Sequence, residues 1–220
     1  MGHGQPPLRE QNRLQAREVV LDAAERLLDR SENSDFSMRE LAAEAGVGFA
    51  TPFNHFGSKN AIMQALSTRL IERMAARYGA VSPAGDAIDR VLAMGEFAIA
   101  QTLERPVIAK AVVSSLSVLS STPSNVRPKS QLLWSLALGD YAGIAGDMSR
   151  LAQAVLPEQL AYSFRGCLSF WIAGELGDDR LAATFETGAC TILLGFAASE
   201  RRPNLLERIR EASSNATDPT

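Results

Sequence analysis

A glycine at position 46, set between two short runs of helical character, does most to limit how this chain folds. Residues Phe36 to Lys59 read FSMRELAAEAGVGFATPFNHFGSK. Ser37 followed three residues later by Glu40 is a capping box, which satisfies two backbone donors and starts a helix. Met38, Leu41, Ala42 and Ala45 then recur at helical spacing and give that short helix one apolar face. Gly46 can take the left-handed conformation that ends it, and apolar Val47 is suited to pinning the turn. A second run follows from Gly48 to His55, with Phe56 as its anchor before the break at Gly57-Ser58. Two short helices joined by a tight glycine turn predict a helix-turn-helix, whose second helix is sized for a DNA major groove. A plain helical hairpin has the same local signature.

The rest of the chain reads as helices too, so the fold class expected is all-α. A first helix spans roughly Glu10 to Asp29, with Val19, Val20, Ala23, Ala24, Leu27 and Leu28 as its buried stripe. Residues 1–8 read as disordered, and Arg30 to Asp35 as a polar loop. Ser58 caps a long helix in which Ile62, Leu66, Leu70, Met74 and Tyr78 repeat every fourth residue. Asp86 caps the next, Pro106 opens another running to Leu119, and Ser120 to Ser130 reads as a loop. Gln131 to Leu156 is expected to be helical, although Gly139, Gly143 and Gly146 weaken it. Pro157 then stands at a helix start, that helix runs to Gly177, and Asp179 caps one covering Leu181 to Ala198. Pro203 opens a terminal helix, and SSNATDPT reads as a frayed tail. No strand alternation and no internal repeat occur. The division expected is a DNA-binding domain over residues 1–58, a connecting helix over 59–78, and a helical domain over 59–220.

Composition narrows the function classes. The chain has 220 residues, 46% of them hydrophobic, enough for one medium domain or two small ones. No apolar run of about 18 residues is present to span a bilayer, and the first ten residues contain no signal-type apolar stretch. Cys167 and Cys190 lie in apolar helical runs and read as buried free thiols of a cytoplasmic protein. Two Cys and two His, scattered as they are, give no metal-ligand spacing, and neither metal nor cofactor is expected. The formal net charge is −3, and residues 1–80 carry ten basic and ten acidic side chains. Positive charge is therefore local, as with Arg9, Arg13 and Arg17 on one helical face, so non-specific affinity for DNA should be modest. Beyond His55 no histidine follows, which removes the commonest general base. The pairs Asp178-Asp179 and Asp140/Asp147 read as helix caps and solvated faces, and the three glycines 139, 143 and 146 follow no strand and so make no dinucleotide fingerprint. Close packing or room for a ligand are the two readings left for those glycines. No enzyme is expected.

An alanine-rich first helix, the turn Ala42, Ala45, Gly46, Val47, the run Phe53, His55, Phe56 and then Gly57-Ser58-Lys59 together resemble the DNA-binding domain of the tetracycline-repressor (TetR) family of bacterial regulators. The resemblance covers roughly Ala16 to Leu70. It implies a homodimeric transcriptional regulator, most often a repressor, that binds a near-palindromic double-stranded operator and releases it when a small molecule occupies the second domain. Carried over by position, Arg39, Phe49, Ala50, Thr51 and Asn54 face base edges, and Ser37, His55 and Lys59 face phosphates. The chemistry agrees, because arginine clasps guanine, asparagine clasps adenine, and apolar groups touch a thymine methyl. Lys59 stands at a helix start, where the dipole disfavours a cation unless an anion is near.

Three positions depart from the family pattern. Gly48 stands where Ser or Thr usually caps, Pro52 replaces an aliphatic residue, and Phe53 replaces a tyrosine whose hydroxyl reaches a phosphate. Thr51-Pro52 is itself a possible cap-and-first-residue pair. These departures and the neutral charge support a competing reading, a helical ligand-binding or interaction module whose helix-turn-helix no longer reads DNA.

In the second half, Met94, Phe97 and Gln101, with Trp134, Tyr141, Phe164 and Trp171, are the candidates to line an effector pocket. It would be walled by the helices from Asp86, Pro106 and Gln131, and an apolar or aromatic effector is expected. Leu181 to Ala198 is apolar around nearly its whole circumference, which suits either a core helix or an interface. Gly188 and Gly195, with Gly166 and Gly174 on the preceding helix, permit close backbone approach, and Ile192 and Leu193 supply bulk. A four-helix dimer interface is the expectation.

Overall fold

Three of the helices start at a side chain that serves the first turn, Ser37, Ser58 or Asp86. In the computed structural model, which describes residues 7–30, 35–116 and 124–214, α1 spans Leu8–Arg30 and α2 spans Met38–Glu44. Ser37 caps α2: its Oγ accepts from the Glu40 N–H at 3.2 Å, and its own N–H donates to Glu40 Oε2 at 2.7 Å. Gly46, at φ 65°, ends α2. There the Val47 N–H reaches back to the Ala42 carbonyl and the Gly46 N–H to that of Ala43, the paired closure that satisfies a helix C-terminus. α3 (Ala50–Phe56) and α4 (Lys59–Val81) follow, with the Ala61 N–H donating to Ser58 Oγ. Asp86 caps α5 (Ala87–Glu104) through the N–H groups of Ile88 and Asp89, with Asp89 completing a second capping box. α6 (Pro106–Ser115), α7 (Val126–Leu138), α8 (Ser149–Ile172), α9 (Asp178–Leu194) and α10 (Arg202–Ser214) complete an all-α chain. Among the described residues there is no strand, only an isolated bridge between Ile144 and Ala197.

Two compact units result. One holds α1 to α3, the start of α4 as far as Ser67, and α6; the other holds α4 from Thr68, α5, and α7 to α10. The core of the first is built from Val20, Ala24 and Leu28 of α1, Phe36, Leu41 of α2, Ile62 and Leu66 of α4, and Ile108 and Val112 of α6. Each large apolar side chain buried in this way contributes about 1.5–3 kcal/mol. On α1 the buried stripe takes in Leu21, whereas Val19, expected inside, is 37% exposed. The helix from Pro106, expected to wall a pocket, has its apolar side in this core.

The second unit departs from the expected helix boundaries between residues 131 and 177. α7 stops at Leu138 because Gly139, Tyr141 and Gly143 all have positive φ, where a right-handed helix cannot continue. Pro157, expected to open a helix, lies inside α8. A proline there removes one backbone hydrogen bond and costs about 3 kcal/mol; buried Ala152, Leu156, Leu160 and Ala161 hold α8 in place on both sides of it. α8 ends at Ile172, before Gly174 at φ 76°, and α9 starts at Asp178 with Gly177 as its cap residue.

The segment 139–145 is tied on both sides. Ala142 accepts from the Ala87 N–H, Ala145 donates to Phe196, and Gly143 accepts from Ala198. Arg90 donates to the carbonyls of Ala137 and Leu138 at 3.0 Å and to Asp140 at 2.6 Å, a cation at the exposed carbonyls of α7's last turn. A Cβ on Gly143 would stand 2.2 Å from Asp86 Oδ2, so this glycine serves close packing. Arg201 closes the region by pairing with Asp86 at 2.8 Å and Asp89 at 2.5 Å. The loop expected over Ser120–Ser130 is helical from Val126, where α7 begins, five residues before the expected start at Gln131. The expected disorder of the first residues, the loop at Arg30–Asp35, the end of the Pro106 helix and the frayed tail fall wholly or mainly outside the described residues.

Candidate nucleic-acid interface

α3 has a buried side and an open side. Pro52 is buried and Phe56 packs against the core of its unit, and these two residues lie one turn apart. On the opposite side Ala50 and Asn54 are exposed, Phe49 and Phe53 flank them on one edge, and half-buried Thr51 and His55 flank them on the other. Pro52 is the third residue of α3. Its missing N–H would have had no intrahelical partner there, so the proline costs the helix no hydrogen bond. Phe49 occupies the cap position without a side-chain cap bond, so neither Gly48 nor Thr51 caps α3. The first closing bond runs from the Thr51 N–H to the Gly48 carbonyl at 2.8 Å.

α1 fixes the helix pair through its arginines. Arg17 donates from Nη1 to the His55 carbonyl at 3.2 Å and lies 4.2 Å over the Phe56 ring. Arg26 pairs with Glu44 at 2.7 Å, and Arg30 pairs with the same carboxylate. The Arg26 guanidinium, with Arg30 beside it, holds the Glu44 carboxyl below the usual range. Spacing alone grouped Arg17 with Arg9 and Arg13. Those two are exposed, whereas Arg17 is a brace for α3; a cation one helix away from an aromatic-rich turn was the only signal available.

Of the residues proposed to meet DNA, Arg39, Phe49, Ala50 and Asn54 are exposed. Arg39 has no ion pair among the described residues. Ser37 Oγ is engaged as a cap. His55 is half-buried with its carbonyl held by Arg17. Lys59 pairs with Asp35 and lies 5.0 Å over the Phe36 ring, and burial lowers its pKa. The anion that a lysine at a helix start calls for is thus a carboxylate of the same unit.

The seven candidate pocket residues do not converge on one space. Trp134 and Phe164 pack ring against ring with Phe185 at 5.1–5.7 Å and fill the interior that the first two were expected to line. Gly95 makes room for them, since a Cβ there would stand 2.3 Å from the Phe185 ring. Trp171 is buried and donates to Asp178 at 2.6 Å. Met94 is fully buried, Phe97 sits edge-on to Tyr78, Gln101 donates to Glu104, and Tyr141 belongs to the tied segment. Trp134 Nε1 is buried with no acceptor among the described residues. Open space lies elsewhere in this unit. A cavity of about 110 Å³ is lined by Leu92, Gly95, Ile99 and Phe185 between α5 and α9. A groove of about 350 Å³ is lined by Ile71, Glu72 and Ala75 of α4 and Lys129, Leu132 and Leu136 of α7.

On the proposed dimer face, Leu193 is fully buried within its own subunit, so its side chain is core and cannot also present a surface. A Cβ on Gly188 would stand 2.8 Å from Ser163 Oγ, which puts that glycine at the α8–α9 contact inside the subunit. Gly166, Gly174 and Gly195 meet no side chain within 4 Å, and Ile192 is half-buried. No group of His, Cys, Asp and Glu arranged to hold a metal occurs among the described residues, and among them no helix is long and apolar enough to cross a membrane.

Comparison with known proteins agrees with this geometry. Residues 20–66 match the family described as bacterial regulatory proteins, tetR family. No curated protein matches the sequence. Among solved structures, a TetR transcriptional regulator from Rhodococcus sp. RHA1 superposes with a TM-score of 0.67 at 21% identity, over 82% of this chain and 97% of that one. A protein of unknown function from the same organism gives 0.52 at 22% identity, over 83% and 96%. The TetR family protein CprB from Streptomyces coelicolor, solved with its biological operator sequence, gives 0.50 at 15% identity, over 92% and 97%. At these identities the likeness is one of fold.

Proposed function

We propose that this chain, a member of the TetR family of bacterial regulatory proteins, is a ligand-responsive repressor that binds a near-palindromic operator as a homodimer. The observation that carries the DNA-binding part is the two-sided character of α3. Pro52 and Phe56 anchor one side, while Ala50, Asn54, Phe49 and Phe53, with Arg39 of α2 nearby in sequence, stay exposed. Asparagine and arginine suit adenine and guanine edges in a major groove. A dimer sets two such helices about 34–36 Å apart on one face of the duplex. The protein then works in the cytoplasm, where its DNA is.

The effector part is supported by the α4–α7 groove, whose volume of about 350 Å³ lies within the roughly 300–1,000 Å³ usual for small-molecule sites. Its lining is apolar apart from Glu72 and Lys129, which pair with each other at 2.6 Å, so an apolar or aromatic effector fits best. α4 is one continuous helix that begins at Lys59 and carries Ile71, Glu72 and Ala75. A ligand that displaces it there also acts on its first turn, beside α3 in sequence. For two decades of lost operator affinity the ligand must prefer the non-binding arrangement by about 2.7 kcal/mol. No catalytic step is assigned to either unit.

A titration of labelled DNA from upstream of the protein's own gene, followed by fluorescence anisotropy, tests the reading. Arg39→Ala is expected to cost about 1–3 kcal/mol on that DNA if it reads guanine. The competing reading, a helix-turn-helix that has ceased to read DNA, predicts no sequence-dependent binding in the same titration.

A further inference from the structure

The groove between α4 and α7 is charged at one end and apolar beyond it. On α7 it is lined in succession by Lys129, Leu132 and Leu136, and on α4 by Ile71 and Ala75. At about 1.5 Å per residue the step from Lys129 to Leu136 makes a row about 10 Å long, cationic at its start. Leu132 is 67% and Leu136 50% exposed. Two large apolar side chains one turn apart thus stay in water along this row, and a partner that covers them gains their burial.

The ion pair at the charged end opens more easily from one side than from the other. Lys129 Nζ donates to Glu72 Oε1 at 2.6 Å, with 36% of the lysine side chain exposed against 61% of the glutamate. Glu72 can turn into water at little cost, since exposed ion pairs contribute little. Lys129 is the more enclosed partner, so the charge that remains at the groove when the pair opens is positive. It stands at the N-terminal end of α7, whose first turn carries no acidic residue and whose dipole favours an anion. A cationic ligand would have to expel Lys129 instead. We propose that the effector of this groove is an amphipathic carboxylate, an acid whose apolar body lies along Leu132 and Leu136 and whose carboxylate replaces that of Glu72 on Lys129. Glu72 is then a latch, holding the place until the ligand's carboxylate displaces it. The proposal rests on the reading of this groove as the effector site and adds the chemical class of the ligand.

Octanoate, octanol and octylamine share one apolar chain and differ in the end group, so they serve as probes. Each is titrated by calorimetry into the full-length protein, as wild type, Lys129→Gln, Glu72→Gln and Ala75→Trp. Octanoate is expected to bind about tenfold more tightly than octanol, the effect of one charge-assisted contact. Lys129→Gln should abolish that preference and leave octanol binding unchanged. Glu72→Gln should raise octanoate affinity severalfold, because the competing carboxylate is gone, and should leave octanol unaffected. Glu72 and Lys129 are both partly in solvent, and circular dichroism checks that all variants fold. Octanol bound as tightly as octanoate, or a preference for octylamine, overturns the acid and leaves the groove as an effector site. So does an octanoate preference that survives in Lys129→Gln, or an octanoate affinity that falls in Glu72→Gln. Absence of binding by every probe, or binding that Ala75→Trp leaves intact, overturns both.

Discussion

The guanidinium of Arg17 lies 4.2 Å over the ring of Phe56, and through this contact α1 holds the C-terminal end of α3. The same guanidinium donates to the His55 carbonyl, so two successive residues of α3 are fixed by one side chain. Helix α3 has seven residues, too few to persist on its own propensity. Its orientation is therefore set by what it packs against.

Arg17→Ala is expected to lower operator affinity severalfold. It removes a cation–π contact worth about 0.5–2 kcal/mol and leaves a carbonyl without its donor, at roughly 1 kcal/mol. Arg17→Lys should recover little, because an ammonium lacks the planar face and the spread of donors that serve ring and carbonyl together. Anisotropy measures the affinity and thermal unfolding checks the fold. Full recovery in Arg17→Lys would mean that only charge matters at this position, and the bracing role would be withdrawn.

The pairing of Lys59 with Asp35 yields a prediction opposite in sign to the usual one for a DNA-binding protein. Asp35→Asn can still accept from the Phe36 N–H, as Asp35 does at 2.8 Å, while it no longer neutralises Lys59. Affinity for DNA of any sequence should rise, and the slope of log affinity against log salt should steepen by about one phosphate contact. Lys59→Gln in the wild-type background should change the slope little. A slope that flattens by a full unit in Lys59→Gln would show that Lys59 already contacts a phosphate and that Asp35 does not occupy it.

The helix-turn-helix was legible because its signals are local. A capping box, a positive-φ glycine and an apolar period all act within a few residues, and Ser37, Glu40 and Gly46 do what their sequence predicts. The brace on α3 was not, since Arg17 and Phe56 are distant in sequence and nothing in either neighbourhood names the other. The same limit applies to Leu193 and Trp134. An apolar helix face and a large aromatic look alike in sequence whether they meet a partner subunit, a ligand or their own core. Pro157 misled for a related reason: proline's preference for helix starts is a local rule, and the packing of α8 overrides it. Spacing marks glycines 139 and 143 as weak points of a helix, with close packing or room for a ligand as their uses; their positive φ ends α7, and the carboxylate beside Gly143 makes it a close-packing position.

Burial pushes the Cys190 thiol up to about 11, and burial also raises that of Cys167. At pH 8 a thiol with a pKa of about 11 is thiolate in roughly one molecule in a thousand, and the thiolate is the reactive form. A disulfide-exchange reagent should therefore find neither cysteine in the native protein at pH 8 and both after denaturation in guanidinium. The sign for stability follows from the raised value. Above the unfolded pKa of about 8.5 the unfolded chain releases a proton that the folded chain retains, so stability is full below that pH and declines as pH rises toward about 11. Rapid labelling of one thiol in the native state would show that its helix opens readily.

Gly166 separates subunit stability from dimerisation. It lies within α8, half-buried, and a Cβ added there meets nothing within 4 Å in its own subunit. A helix interior gains about 0.5–1 kcal/mol when glycine gives way to a residue of better propensity. Gly166→Trp should therefore leave the subunit folded. If α8 and α9 form a four-helix interface with the partner, and glycine is needed there for close approach, the indole must occupy the partner's space, and the variant should be a monomer in light scattering with an unchanged helical signal. Leu193→Arg cannot serve this purpose, because Leu193 is fully buried and an unpaired cation there breaks the subunit itself. Operator affinity supplies the second readout. A monomer places one α3 per binding event instead of two, so Gly166→Trp should bind a single half-site nearly as well as wild type and lose the advantage of the full palindrome. A Gly166→Trp protein that remains dimeric removes this face from the interface and directs the search to other exposed apolar residues, such as Phe170 and Leu151 on the same helix.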